Sequence, residues 1–272
     1  MAALTKVAVL GASGNLGPPV VQALLAAGFK VTTITRQESK ATFPADVVVK
    51  RVDLSSEESL IEAVKGQDAV ISTVSGEAIA SQKLFIDAAI TAQVKRFIPS
   101  EFGINTREAR NTNFGQFVAP KIADGLRNGF FGFDLKNKTC QIYDSGNEPF
   151  SGTNLAFIGK CVAAALAKPG ATANKFLTIA SFTITQNEVK KVIEEEIGSE
   201  LTVTNVKTSD LEKIGQQKLA NNDPTAFVEY LSQCVFADGA GQAVTENAAV
   251  TVLGLQEESL RETVRAAIAA TQ

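Results

Sequence analysis

The chain has 272 residues, 45% of them hydrophobic and 20% charged, with a formal net charge of −3. This composition builds a sizeable core in one large domain or in a nucleotide-binding domain with a smaller partner region. It carries no basic block for nucleic acid and no apolar run of membrane-helix length.

The first strand is expected at Val7-Ala8-Val9-Leu10, near enough to the first residue to leave no room for a signal peptide. Four consecutive apolar residues suit a parallel strand buried on both faces. The glycine-rich Gly11-Ala12-Ser13-Gly14-Asn15-Leu16-Gly17 follows, and then Pro18 to Gly28 reads as a helix. Strand, glycine turn and helix in that order point to dinucleotide binding. Gly11 permits the sharp turn, Gly14 lets a pyrophosphate approach the backbone, and Gly17 permits close packing of helix on strand. Backbone N–H groups and the positive dipole end at the start of the helix form an anion site. Ser13, Asn15 and Leu16 lie in the same loop.

Lys30 to Thr35 alternates like a second strand and delivers Arg36 to its carboxyl end. An acid at this place binds the ribose 2′-OH of NAD, whereas a guanidinium suits the 2′-phosphate of NADP. Arg36, with Lys40 as a second cation, therefore favours NADP. Val47 to Val52 reads as the third strand and ends at Asp53. Asp53 has two readings, a contact to adenine or its ribose and a turn aspartate bonding its own backbone. Ser55 and Glu58 stand at capping-box spacing before the next helix.

Ala69 to Thr73 is expected as the fourth strand. Thr73-Val74-Ser75-Gly76 then offers small residues at the ligand edge. A helix over 79–92 carries Leu84, Phe85, Ala88, Ala89 and Ala92 on one face, and Arg96 to Pro99 is the fifth strand. Repeated strand–helix units predict a doubly wound parallel sheet with right-handed crossovers. Ser100-Glu101-Phe102-Gly103 leaves the fifth strand at the same edge, and the aperiodic stretch 104–120 reads as a long loop of the functional or mobile kind.

In the second half, strands are expected at Thr139–Tyr143, Lys175–Ile179 and Leu201–Val206. A helix follows Thr153-Asn154, with Leu155, Ile158, Val162 and Leu166 inward. Another helix follows the Thr185/Glu188 capping box, and further helices are expected at Ser209–Leu219, Pro224–Val235 and Glu257–Ala270. Cys140, Cys161 and Cys234 form no C-x-x-C pair and read as reduced packing thiols of a cytoplasmic protein. Histidine is absent, which removes Ser-His-Asp, Cys-His and histidine metal chemistry; no metal site is expected. Neither Tyr143 nor Tyr230 has a lysine four residues on, so the Tyr-x-x-x-Lys pair of ordinary short-chain dehydrogenases is missing too.

Gly11 to Gly17, Arg36 and Val94-Lys95-Arg96-Phe97-Ile98-Pro99-Ser100-Glu101-Phe102-Gly103 together resemble the NmrA-like, isoflavone-reductase-like family, atypical short-chain dehydrogenase/reductases. Phe131-Gly132-Phe133-Asp134 through Gly159-Lys160, and the region of Glu188, are similar to that family's second half. The resemblance implies an NAD(P)-binding Rossmann domain over 1–128 and a small α+β substrate-binding region over 129–272 at its carboxyl edge. It places Ser100, Glu101 and Phe102 along the nicotinamide side of the cofactor, beside Thr73 and Val74, whose small neighbourhood at the ligand edge would let a nicotinamide ribose or phosphate pass close to the backbone. It also makes Lys121, the one lysine between Lys95 and Lys136, the catalytic candidate near the nicotinamide. The family continues beyond that lysine with a helix and a core strand, whereas this chain reaches Gly129-Phe130-Phe131 in a few residues. The resemblance thus implies a deletion near 121–129 on the order of 30 residues, about one βαβ crossover.

Two functions fit these expectations. One is an NADPH-dependent oxidoreductase acting on a small phenolic or carbonyl compound, with Phe102, Phe114, Phe117, Phe130 and Phe131 as pocket candidates. The other is a non-catalytic NAD(P) sensor that regulates a protein partner.

Overall fold

A computed structural model describes residues 3–103, 132–223, 225–240 and 246–271. The chain divides into two compact units. The first comprises Met1–Phe102 and Leu155–Phe176, the second Gly103–Asn154 and Leu177–Gln272. The sequence boundary expected at 128/129 and the expected deletion near 121–129 both fall outside the described residues.

The first unit is an α/β layer structure. Its strands are β1 (Lys6–Leu10), β2 (Lys30–Arg36), β3 (Val48–Val52), β4 (Ala69–Ser72) and β5 (Arg96–Ile98). They form one parallel sheet in the order β3-β2-β1-β4-β5. The helices between them are α1 (Gly17–Ala26), α2 (Glu57–Val64) and α3 (Gln82–Thr91). Ala8, Leu10, Ile34 and Val70 share one core cluster with Leu60, Ala63 and Val64 of α2 and Phe85, Ala88 and Ala89 of α3. Alternation along the strands sends Val7, Val9 and Ile71, all fully buried, to the opposite face. This is the doubly wound parallel sheet expected from the strand–helix repeat.

At the amino ends of the strands, Asp68 acts as a joint. Its carboxylate accepts from Lys95 Nζ at 2.6 Å and from the N–H groups of Lys6 and Thr5 at 2.9 Å. Lys95, and then these two amides, hold the carboxyl well below the usual carboxylate range.

A later part of the chain completes this unit. Helix α4 (Leu155–Ala167) packs on α1, with Phe157, Ile158, Cys161, Val162 and Leu166 buried. Gly159 makes the close approach possible, since a Cβ there would lie 2.5 Å from the Pro19 carbonyl oxygen. A short turn, α5 (Pro169–Thr172), follows. Arg96 of β5 donates to the carbonyls of Pro169 at 3.1 Å and Thr172 at 3.3 Å, which ties this segment to the edge strand. Among the described residues β5 has no neighbour beyond β4.

The second unit contains strands β6 (Phe133–Asp134), β7 (Thr139–Tyr143), β8 (Phe150–Gly152), β9 (Phe182–Ile184) and β10 (Thr202–Val206). They pair as β10-β7-β6 and β8-β9. Its helices are α6 (Gln186–Ile197), α7 (Thr208–Ala220), α8 (Ala226–Phe236), α9 (Ala248–Thr251) and α10 (Leu260–Ala269). Phe133, Phe150, Ile193, Val235 and Val264 centre its core. The Thr185/Glu188 capping box is present. Helices α6 and α10 are linked by ion pairs from Arg261 to Glu195 and Glu196, and from Arg265 to Glu196.

Three expectations need correction. Lys175–Ile179 is not a strand. Thr178 C=O accepts from Ala248 N–H, and both backbone groups of the following Ala180 bond to the Asn247 carboxamide, so the end of this segment is held by a helix start and not by a strand neighbour. The ladder forms instead between β8 and β9, with Gly152 opposite Phe182. Ser56, not Ser55, caps α2 by accepting from Ser59 N–H, because Ser55 is engaged by Asp53. The helix expected over 79–92 begins at Gln82, after a 3₁₀ turn at Gly76–Ile79. Cys140 and Cys161 are buried, Cys234 is half-buried, and none of the three is in a disulfide.

Gly159→Leu should lower stability by about 1–3 kcal/mol, the usual effect of overpacking. Urea unfolding against the wild type measures it, and an unchanged midpoint would mean that α1 and α4 do not meet at this residue.

Candidate functional site

Every strand of the parallel sheet delivers a candidate residue to the carboxyl edge. In open α/β sheets that edge is where ligands bind. The glycine loop after β1 is the most constrained of these places. Gly11 has φ +76°, and a Cβ on it would lie 2.8 Å from the Thr73 carbonyl carbon and 2.9 Å from Val74 N. Its neighbours are main-chain atoms and cannot swing aside. The loop closes through Gly14 N–H donating to Gly11 C=O at 3.0 Å. A Cβ at Gly17 would lie 2.3 Å from the carbonyl carbon of Ala12. The loop tip, Ser13-Gly14-Asn15, is exposed, while Leu16 and Gly17 are buried.

No side chain caps α1 at its N-cap, Leu16, and Pro18 lies in the first turn. The helix therefore opens toward the glycine loop with its dipole end uncapped, an arrangement suited to an anion. Glycines at 11 and 14, each closely approached by backbone, fit the cradle that a dinucleotide's pyrophosphate needs. The residues present thus fit such a group.

The end of β4 is locked to this loop. Thr73 donates to the Leu10 carbonyl twice, from N–H at 2.9 Å and from Oγ1 at 2.8 Å. Thr73 and Val74 are both buried. Beyond β5, Ser100 Oγ donates to Val74 C=O at 2.6 Å, and Ser100 N–H donates to Gln82 Oε1 at 2.6 Å. The loops after β1, β4 and β5 are thereby one connected piece. Ser100 and Phe102 are half-buried and Glu101 is exposed. Gln82 gave no signal in the sequence beyond its place in a helical pattern; it stands 18 residues from the amide it holds.

Arg36 ends β2, opposite Val52 of β3 in the parallel register. Its side chain is exposed, as are Lys40 and Asp53. Asp53 accepts from Ser55 Oγ at 2.6 Å and from Ser55 N–H at 2.9 Å, so it is a turn aspartate bonding the local chain. The Ser55 hydroxyl, then the Ser55 amide, hold its carboxyl below the usual range. Arg51 was not singled out from sequence. It brackets the loop after β2 by donating to the carbonyls of Ser39 at 3.0 Å and Ala41 at 2.9 Å. The catalytic candidate Lys121, like Phe114, Phe117, Phe130 and Phe131, lies outside the described residues. Among the described residues no histidine, cysteine or acidic cluster could hold a metal, and no helix is long and apolar enough to cross a membrane.

The sequence model of the NmrA-like family matches residues 4–124, which span the parallel sheet and the glycine loop. The oxidoreductase aprR of Aspergillus flavus is 33% identical over 95% of this chain and 97% of its own length. The oxidoreductase poxI of Penicillium oxalicum is 33% identical over 93% of this chain and 90% of its own. The alignment to aprR runs over 289 residues, yet 95% of a 272-residue chain cannot fill it. About thirty positions of that alignment, taken over its whole length, therefore hold no residue of this chain. Among solved structures, a crystal structure of isoflavone reductase superposes with a TM-score of 0.79 at 22% identity, covering 96% of this chain and 99% of that one. A leucoanthocyanidin reductase–NADPH complex from Vitis vinifera gives 0.77 at 20% identity, covering 97% and 99%. At these identities the likeness is one of fold.

Gln82→Ala should speed hydrogen exchange at the Ser100 amide by up to about tenfold, the equivalent of one ordinary hydrogen bond. Exchange unchanged at that amide would show that the bond does not hold the loop.

Proposed function

Because the chain belongs to the NmrA-like family, we propose that it is an NADP-dependent reductase acting on a small phenolic or carbonyl compound. The observation that carries this reading is the glycine loop at an uncapped helix start, with Arg36 at the end of the neighbouring strand. The oxidoreductase names of aprR and poxI support the reaction class, and the isoflavone and leucoanthocyanidin reductases support the substrate class.

In this reading the backbone amides of Ser13 to Gly17 hold the diphosphate. Arg36, with Lys40, holds the 2′-phosphate through charge-assisted hydrogen bonds. Asp53 keeps its turn role and lies at the adenosine end of the site. Thr73 and Val74, buried and fixed to the glycine loop, form a rigid rail for the middle of the dinucleotide. Ser100, Glu101 and Phe102 line its nicotinamide side. Bound NADPH supplies the hydride, and the protein supplies position, electrostatics and a proton. With histidine absent and the Tyr-x-x-x-Lys pair missing, Lys121 is assigned the proton, held on Nζ and passed to the substrate oxygen. The rail built from Thr73, Val74 and Ser100 matters because hydride transfer demands close and aligned partners.

Two variants test the assignment. Arg36→Ala should weaken NADPH binding about tenfold or more and leave NADH nearly unchanged, the effect of removing one charged hydrogen-bond partner. Calorimetry with both nucleotides reads this directly, and unaltered selectivity would remove Arg36 from the site. Lys121→Ala should retain NADPH affinity but lose about 100-fold or more in turnover of phenolic and carbonyl substrates, as loss of a general acid does. Full turnover by that variant would assign the proton to another group.

A further inference from the structure

The loop after β2 carries charge of both signs. Arg36 Nε lies 3.3 Å from Glu38 Oε1, and the two side chains are 72% and 68% exposed. Local hydrogen bonds give the loop a defined course. Ser39 N–H donates to the Arg36 carbonyl at 3.0 Å, and Ala41 N–H donates to Ser39 Oγ at 3.3 Å. Arg51 closes the loop from β3 by taking the carbonyls of Ser39 and Ala41 with one guanidinium. Glu38 is thus held within a short braced loop, beside the group assigned to the 2′-phosphate. As an ion pair in solvent it adds little to stability. Its position has a different consequence.

We propose that Glu38 sets cofactor selectivity by standing in for the 2′-phosphate on Arg36. In the free protein its carboxylate neutralises the guanidinium edge. A 2′-phosphate must displace it and then remain near its negative charge. The 2′-hydroxyl of NADH makes no such demand and leaves the ion pair intact, so Arg36 keeps a partner with either nucleotide. Discrimination in favour of NADPH is therefore smaller than Arg36 alone would give. This inference rests on the assignment of Arg36 to the 2′-phosphate.

The carboxylate and the displaced phosphate would be a few ångströms apart in water-like surroundings. Repulsion at that range corresponds to a roughly threefold change in affinity at low ionic strength, shrinking as salt screens it. Titrating wild type, Glu38→Gln and Arg36→Ala with NADPH and NADH, at low and at high ionic strength, tests the proposal. The expected result is that Glu38→Gln binds NADPH about threefold tighter at low salt, with the gain reduced at high salt and NADH unmoved. If NADPH affinity in Glu38→Gln equals wild type while Arg36→Ala loses NADPH, Glu38 has no such role and the assignment of Arg36 stands. If NADPH and NADH tighten together, the effect is one of overall charge and the proposal is overturned. If Arg36→Ala binds NADPH as the wild type does, the assignment of Arg36 fails and the proposal fails with it.

Discussion

The carboxyl edge of the sheet is built around one steric constraint. Main-chain atoms of Thr73 and Val74 press against the place where a side chain at residue 11 would begin. Only a residue without Cβ, and with access to positive φ, fits there. The consequence is a glycine loop lying directly on the end of β4, with Thr73 bonded twice to Leu10. Ser100 then joins the same assembly through Val74. Three loops that are far apart in sequence become a single rigid surface, and a rigid surface is what oriented binding requires.

The helix that follows the glycine loop is fixed from outside its own part of the chain. Helix α4 belongs to the same compact unit as α1, although more than a hundred residues separate them. Gly159 lets the backbone of α4 approach Pro19, which stands in the first turn of α1. The packing that holds the start of α1 in place is thus supplied by a segment inserted from later in the sequence. Arg96 bonds the end of that segment to the edge strand. Glycine loop, α1, α4 and the five-stranded sheet all lie within the described residues.

Charge is distributed with the same economy. At the start of α1 no side chain caps the helix, so its backbone dipoles are left open, an arrangement suited to an anion. Side-chain cations flank the loop after β2 instead, where Arg51 of β3 gives its hydrogen bonds to the loop carbonyls and Arg36 at the end of β2 pairs with Glu38. Two arginines on neighbouring strands therefore have different partners, one the loop's carbonyls and the other an exposed carboxylate. Composition cannot separate such roles, since both residues are exposed arginines near the same edge of the sheet.

The sequence by itself determined the elements whose causes are local. Buried runs such as Val7 to Leu10, glycines at fixed offsets, the Thr185/Glu188 cap and the absence of histidine were all legible, because sterics and short hydrogen bonds act within a few residues. The parallel sheet and its ligand edge followed from the repetition of those units. Tertiary structure alone decided which distant groups meet. It placed α4 on α1, paired β8 with β9, and gave the Ala180 backbone to Asn247 where a strand was expected nearby. It also put Gln82 against Ser100. The reason is physical: a pattern of three or four residues fixes dihedral angles, whereas the partner of a carboxamide or a guanidinium is fixed by close packing of the whole unit.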